Sequence, residues 1–209
     1  MKNKLFLLSV FVLTISACAF SANGEAANVS TSTRSLDNFY GLIINNPANV
    51  ILETGDKSSI RFEGEQKDLD RVSTNIENGS LVISGSNLNP LTVYITIQDI
   101  NLIEVNGSAR IFSSSVINSD LLLLKVNGTG SIRLDVRSLS LGMIVKGSGK
   151  IYASGSTGSS FTRIYGEGKV YTPELDSFSS SEEINDWSQV YRSNTRSFEM
   201  NKRIGNLNN

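Results

Sequence analysis

Histidine is missing altogether from this 209-residue chain, and only one cysteine and three prolines occur. Without histidine there is no Ser-His-Asp or Cys-His relay and no histidine-based zinc site. The lone cysteine, Cys18, cannot form an internal disulfide. It stands at the head of the chain, so thiolate chemistry is excluded from the rest. An excess of charge is also lacking: 19 basic residues face 20 acidic ones. Losing a leader that holds Lys2 and Lys4 would leave 17 against 20, which argues against nucleic acid as a bulk electrostatic partner. Long apolar runs are absent beyond Leu5–Ile15, which is too short to span a bilayer.

What is abundant is glycine, 17 residues of it, and it recurs in a pattern. Val126-Asn127-Gly128-Thr129-Gly130-Ser131-Ile132 repeats as Val105–Ile111, Val145–Ile151 and Ile164–Val170. Degenerate copies stand at Ile44–Val50 and Ile184–Val190. The central turn position holds Asn46, Gly107, Gly128, Gly147, Gly166 and Asp186, residue types that tolerate a left-handed backbone. Two residues later comes a small residue: Ala48, Ala109, Gly130, Gly149, Gly168 or Ser188. The outer positions are mostly β-branched, as strands prefer. Successive turn positions from Gly107 lie 21, 19, 19 and 20 residues apart. A fixed period near twenty, with no helical periodicity, marks a solenoid. It predicts one all-β domain, a parallel β-helix with coils of about twenty residues stacked at ~4.8 Å. Right-handed winding follows from the usual chirality of parallel crossovers.

Residues 1–17 read as a secretory leader: two lysines, an apolar run, then small residues. The junction Ile15-Ser16-Ala17-Cys18 resembles a bacterial lipobox, which implies lipidation of Cys18 and a membrane anchor. Ala19 after the cysteine implies an outer-membrane destination in a Gram-negative cell. The alternative is ordinary cleavage near Ser21 and a soluble periplasmic or surface protein. Residues 18–35 are expected to be a disordered tether, residues 36–192 the β-helix, and residues 193–209 a polar cap or tail. The segment before Ile103 is looser in spacing, with a tight turn at Asn78-Gly79 and one helical turn within Lys67–Arg71.

The pattern Phe39…Ile44…Ala48-Asn49-Val50, then Leu81-Val82-Ile83, Leu102–Ala109 and Val126–Gly130, resembles the GIN-domain family of exported bacterial proteins, described as autotransporter adhesin heads. The resemblance covers residues 36–192. It implies a parallel β-helix at the cell surface or in the periplasm, and it brings no catalytic residues with it.

The remaining chemistry is thin. The Gly-x-Gly triplets lack the helix and the Lys-Ser/Thr ending of a phosphate loop. Glu182-Glu183, Asp68 and Asp70 are read as solvated turn residues. Acidic residues are too scattered for a calcium loop, so no metal or cofactor is expected. Four Asn-x-Ser/Thr triplets are chance products of the turn vocabulary. One stripe stands out. If Ile111, Ile132, Ile151 and Val170 face inward, the next residues face out: Phe112, Arg133, Tyr152, Tyr171 and Tyr191. Beside them run Arg110, Ser131, Lys150, Lys169 and Gln189. Such a stripe suits a glycan or a protein partner. Alternatively, the aromatic ladder only stabilises stacked strands, or forms a dimer interface. The leading expectation is a non-catalytic, adhesin-like envelope module. The alternatives are a polysaccharide lyase or hydrolase, with Arg133, Lys150, Lys169 and Glu167 as its only candidates, and a purely structural lipoprotein.

Overall fold

The computed structural model describes residues 29–184 and 189–192. Cys18, the leader, the Asp186-Trp187-Ser188 turn and the tail from residue 193 lie outside them. Fifteen strands form one continuous sheet that bends back on itself.

The regular part begins with β8 (Leu102–Gly107), the corner at Gly107, β9 (Arg110–Ser113) and β10 (Ile117–Gly128). Then β11 (Ser131–Gly147) and β12 (Lys150–Tyr165) each run nearly a whole coil. The last coil is β13 (Lys169–Thr172), β14 (Leu175–Ile184) and β15 (Gln189–Arg192). All these pairings are parallel, and like residues lie above like: Gly107, Gly128 and Gly147 share one register, and Ile111, Ile132, Ile151, Val170 and Val190 share another. The expected parallel β-solenoid is therefore the fold, and the period of nineteen to twenty-one residues is its coil.

Two faces sandwich the core. One inward column on the first face is Val50, Ile111, Ile132, Ile151 and Val170, all 1% exposed or less. On the second face Ile44, Val105, Val126, Val145 and Ile164 do the same. Burying such columns, at roughly 2 kcal/mol for each β-branched side chain, holds the coils in register.

The glycine corners work as the sequence predicts. Gly107, Gly128, Gly147 and Gly166 have φ between +102° and +127°, and the last three each lie on the one below. A Cβ on Gly128 would stand 2.8 Å from the Gly107 carbonyl oxygen, and one on Gly147 2.9 Å from that of Gly128. The opposite corner uses hydroxyls: Ser119, Thr157 and Ser177 each donate to the carbonyl two residues on. Beside the glycines, Asn106 donates to Asn45 Oδ1 and Asn127 to Asn106 Oδ1, both at 2.8 Å, forming an amide ladder.

The first coil departs from the period. β2 (Gly41–Ile44) and β3 (Ala48–Thr54) pair with β8 and β9 sixty-one residues later, Asn49 opposite Arg110. The intervening chain goes below them. There β6 (Ser80–Gly85) and β7 (Leu91–Ile97) build a further parallel coil under β2 and β3. Antiparallel strands then close that end. β4 (Ser59–Glu65) covers β7, β5 (Val72–Glu77) covers β6 through the Asn78-Gly79 hairpin, and β1 (Val29–Ser35) covers β4. The antiparallel cover ends the parallel stack, and β1 and β5 become the outer strands of the sheet.

Four expectations need correction. Residues 29–35, placed in the tether, form β1. Asn46 does not take the left-handed conformation; it is 2% exposed and donates to Asn87 Oδ1 at 2.8 Å in the corner below. Here an amide pair does the work that a positive φ does elsewhere. Asp68 is no solvated turn residue either. It lies in the one-turn helix α1 (Gln66–Leu69), is 1% exposed, and accepts from Leu88 N and Asn89 Nδ2, each at 3.0 Å. Glu182 lies within β14, above Thr162 and Met143 of an inward column.

Candidate binding face

The outward stripe exists, and it is longer than the repeat revealed. Parallel register puts Phe112, Arg133, Tyr152, Tyr171 and Tyr191 on successive strands of one face. Below Phe112 the column continues through Ile51, Tyr94 and Arg61. That lower half was illegible from the repeat, because β4 and β7 belong to the inserted coil and its antiparallel cover. The alternation in Ile60–Gly64 and Leu91–Ile97 was the available signal, but which strands neighbour which was not in it.

The upper half is tightly organised. Tyr152 and Tyr171 stack with centroids 4.7 Å apart and planes 8° apart. Tyr171 and Tyr191 stack at 4.6 Å and 5°. The Arg133 guanidinium lies over the Tyr152 ring at 4.4 Å, and Arg61 lies over Tyr94 at 3.9 Å. These spacings are the strand spacing of the sheet, so the coil repeat itself sets the stack. Each contact contributes about 0.5–1.5 kcal/mol, so the ladder does stabilise the solenoid.

Stacking also decides what the stripe can offer. Both faces of Tyr152 are occupied, by Arg133 and by Tyr171, and both faces of Tyr171 by its neighbouring tyrosines. Solvent meets ring edges and hydroxyls. The edge of an aromatic ring is its electropositive part. Stacking of a sugar on the ring faces of Tyr152 and Tyr171 is therefore closed.

Beside the stripe, on the glycine-corner side, Arg110, Ser131, Lys150, Lys169 and Gln189 form a second outward column. On the other side lies a shallow open depression of about 340 Å³. Arg133, Tyr152 and Tyr171 form one wall; Ser154, Pro173 and Glu174 form the other. Three candidate residues thus meet at the depression, Lys150 and Lys169 lie across the tyrosines from it, and Phe112 and Tyr191 stand at the ends of the stretch, 41% and 42% exposed. Glu167 sits apart, between Gly166 and Gly168 at the corner. Among the described residues no group of three or more acidic, histidine or cysteine side chains could hold a metal ion, and no helix is long and apolar enough to cross a membrane.

Comparison with known proteins follows the same lines. A structure from Bacteroides fragilis NCTC 9343, described as a putative adhesin, is similar with a TM-score of 0.63 at 12% identity, over 79% of this chain and 93% of its own. A Parabacteroides distasonis ATCC 8503 protein, described as a putative lipid binding protein, gives 0.59 at 10% identity, over 85% and 98%. A putative adhesin from Parabacteroides merdae ATCC 43184 gives 0.54 at 12%, over 87% and 98%. At these identities the likeness speaks for the fold alone. No curated protein matches the chain. The sequence profile of the family described as "Putative auto-transporter adhesin, head GIN domain" matches residues 38–185, and the chain belongs to that family.

Proposed function

We propose that this protein is an exported, non-catalytic adhesive module that binds a glycan or surface protein through the face built on Tyr152, Tyr171 and Tyr191. The observation that carries the reading is the column itself. A rigid sheet holds arginine and three tyrosines in one line, beside an open depression and a row of basic residues. Preorganised edges and hydroxyls lose little side-chain entropy on binding. Family membership supports the adhesive role, and Cys18 would supply the tether to the outer membrane.

Tyr152→Ala, Tyr171→Ala and Tyr191→Ala combined should abolish retention on immobilised glycans or matrix proteins, while circular dichroism still reports the strands. Retention equal to that of the parent would exclude this face. The matching Tyr→Phe triple keeps the stack and removes the hydroxyls, so it separates recognition from stability. For the anchor, metabolic labelling with a fatty acid should mark the parent chain and not Cys18→Ser. An unlabelled parent chain would refute lipidation.

A further inference from the structure

The cations on this face are arranged differently from those on the opposite one. On the opposite face Lys125 meets Glu104 at 3.3 Å and Arg163 meets Glu183 at 2.9 Å, all in one outward column. On the stripe face Arg110, Arg133, Lys150 and Lys169 occupy four consecutive strands, one cation per strand. None of the four has a carboxylate within ion-pair distance among the described residues. Lys57, Arg71, Arg137 and Lys146 also lack such a partner there, but they lie outside this column. A chain with net charge −1 therefore carries Arg110, Lys150 and Lys169 in one outward column, with Ser131 on the strand between the first two and Arg133 in the adjacent tyrosine column.

The stacked tyrosines add to this field. Their exposed edges are electropositive, and their hydroxyls lie in a row parallel to the cations. Along β11–β13 the acidic groups Asp135 and Glu174 lie on the other side of the tyrosines, with Glu174 in the wall of the depression, whereas Glu63 lies three strands below Arg110 in the basic column and Glu167 stands at the glycine corner. Along these upper coils Lys150 and Lys169 lie toward the glycine corner, and Asp135, Ser154 and Glu174 lie toward the depression.

We propose, building on the adhesive role of this face, that its ligand is an acidic polysaccharide of the polyuronate class lying along the solenoid axis. A polyuronate carries one carboxylate per sugar, and a 1,4-linked pyranose advances by a length close to one coil step. Its carboxylates lie over Arg110, Lys150 and Lys169. The hydroxyl edge of the sugars turns into the depression, where the Ser154 hydroxyl donates or accepts hydrogen bonds and the Glu174 carboxylate accepts them. Such a contact is largely electrostatic and exposed, so it weakens with salt.

The test is affinity electrophoresis of the exported chain in gels containing polygalacturonate or neutral dextran. The parent should be retarded by polygalacturonate and not by dextran, and about 0.5 M salt should abolish the retardation. Lys150→Gln with Lys169→Gln should weaken it roughly tenfold, the loss expected of two modest surface charge contacts. Lys146→Gln, which changes net charge off this face, should leave it unchanged. No retardation by polygalacturonate overturns the inference, as does a loss of equal size in Lys146→Gln. Retardation by dextran that survives the lysine pair but is lost in the tyrosine triple overturns the acidic ligand while leaving the adhesive face standing.

Discussion

The Arg192 guanidinium meets the Glu182 carboxylate at 2.5 Å, bridging two inward columns at the last coil. Lower down those columns hold Leu134 and Ala153 on one face, and Leu124 and Met143 on the other. They turn polar at Thr172 and Thr162, then charged at the end. An open parallel edge with an apolar core behind it would pair with another copy, and charge there opposes that. Arg192→Val with Glu182→Met should therefore extend the core and give larger species than the parent in size exclusion with light scattering. An unchanged mass would show that this pair does not guard the end. Singly, Glu182→Gln should cost less than about 1 kcal/mol, because both side chains are partly exposed.

The glycine corner makes a graded prediction. Gly107 and Gly128 both have positive φ, +108° and +127°, so alanine is strained at either by about 1–3 kcal/mol. They differ in surroundings. A Cβ on Gly107 meets nothing within 4 Å, whereas one on Gly128 meets the Gly107 carbonyl at 2.8 Å. Gly128→Ala should lower the thermal midpoint clearly more than Gly107→Ala. Equal losses would mean that dihedral strain alone sets the cost and that the corners can part freely.

The corners, the inward columns and the upper stripe were readable because each depends on one period, and a parallel stack converts that period directly into neighbours. The first coil was not. Asn49 and Arg110 are opposite each other but sixty-one residues apart, and no local signal tells the chain to descend between them. Nor could the repeat show that Asn46 is fixed by Asn87, since that contact joins two corners out of sequence order. The stripe's residues were legible; the closure of the ring faces was not, because it needs the actual spacing of 4.6–4.7 Å.

The amide ladder predicts a stability effect away from the binding face. Asn106 donates to Asn45 and accepts from Asn127, both at 2.8 Å, while Asn127 also reaches Glu104 Oε1 at 3.0 Å. Asn106→Ala removes two of these bonds at a partly exposed site, so chemical denaturation should show a loss of about 1–2 kcal/mol. Polygalacturonate retardation should not change. A loss near zero would assign coil register to the core columns alone.

Asp68 gives the pH prediction. The Leu88 backbone N–H and the Asn89 side chain donate to its carboxylate and hold its pKa below the ordinary value of 3.8. A group depressed in the folded state adds stability above its unfolded pKa and loses it as pH falls through the folded one. Stability should therefore decline as the solution is acidified below about pH 4. Asp68→Asn cannot ionise and should flatten that part of the curve, at the cost of lower stability at neutral pH, because its single amide oxygen can accept from only one of the two donors, Leu88 N and Asn89 Nδ2. Urea midpoints for parent and variant from pH 7 down to about pH 2.5 would decide it: parallel curves would mean that other carboxylates dominate the acid limb.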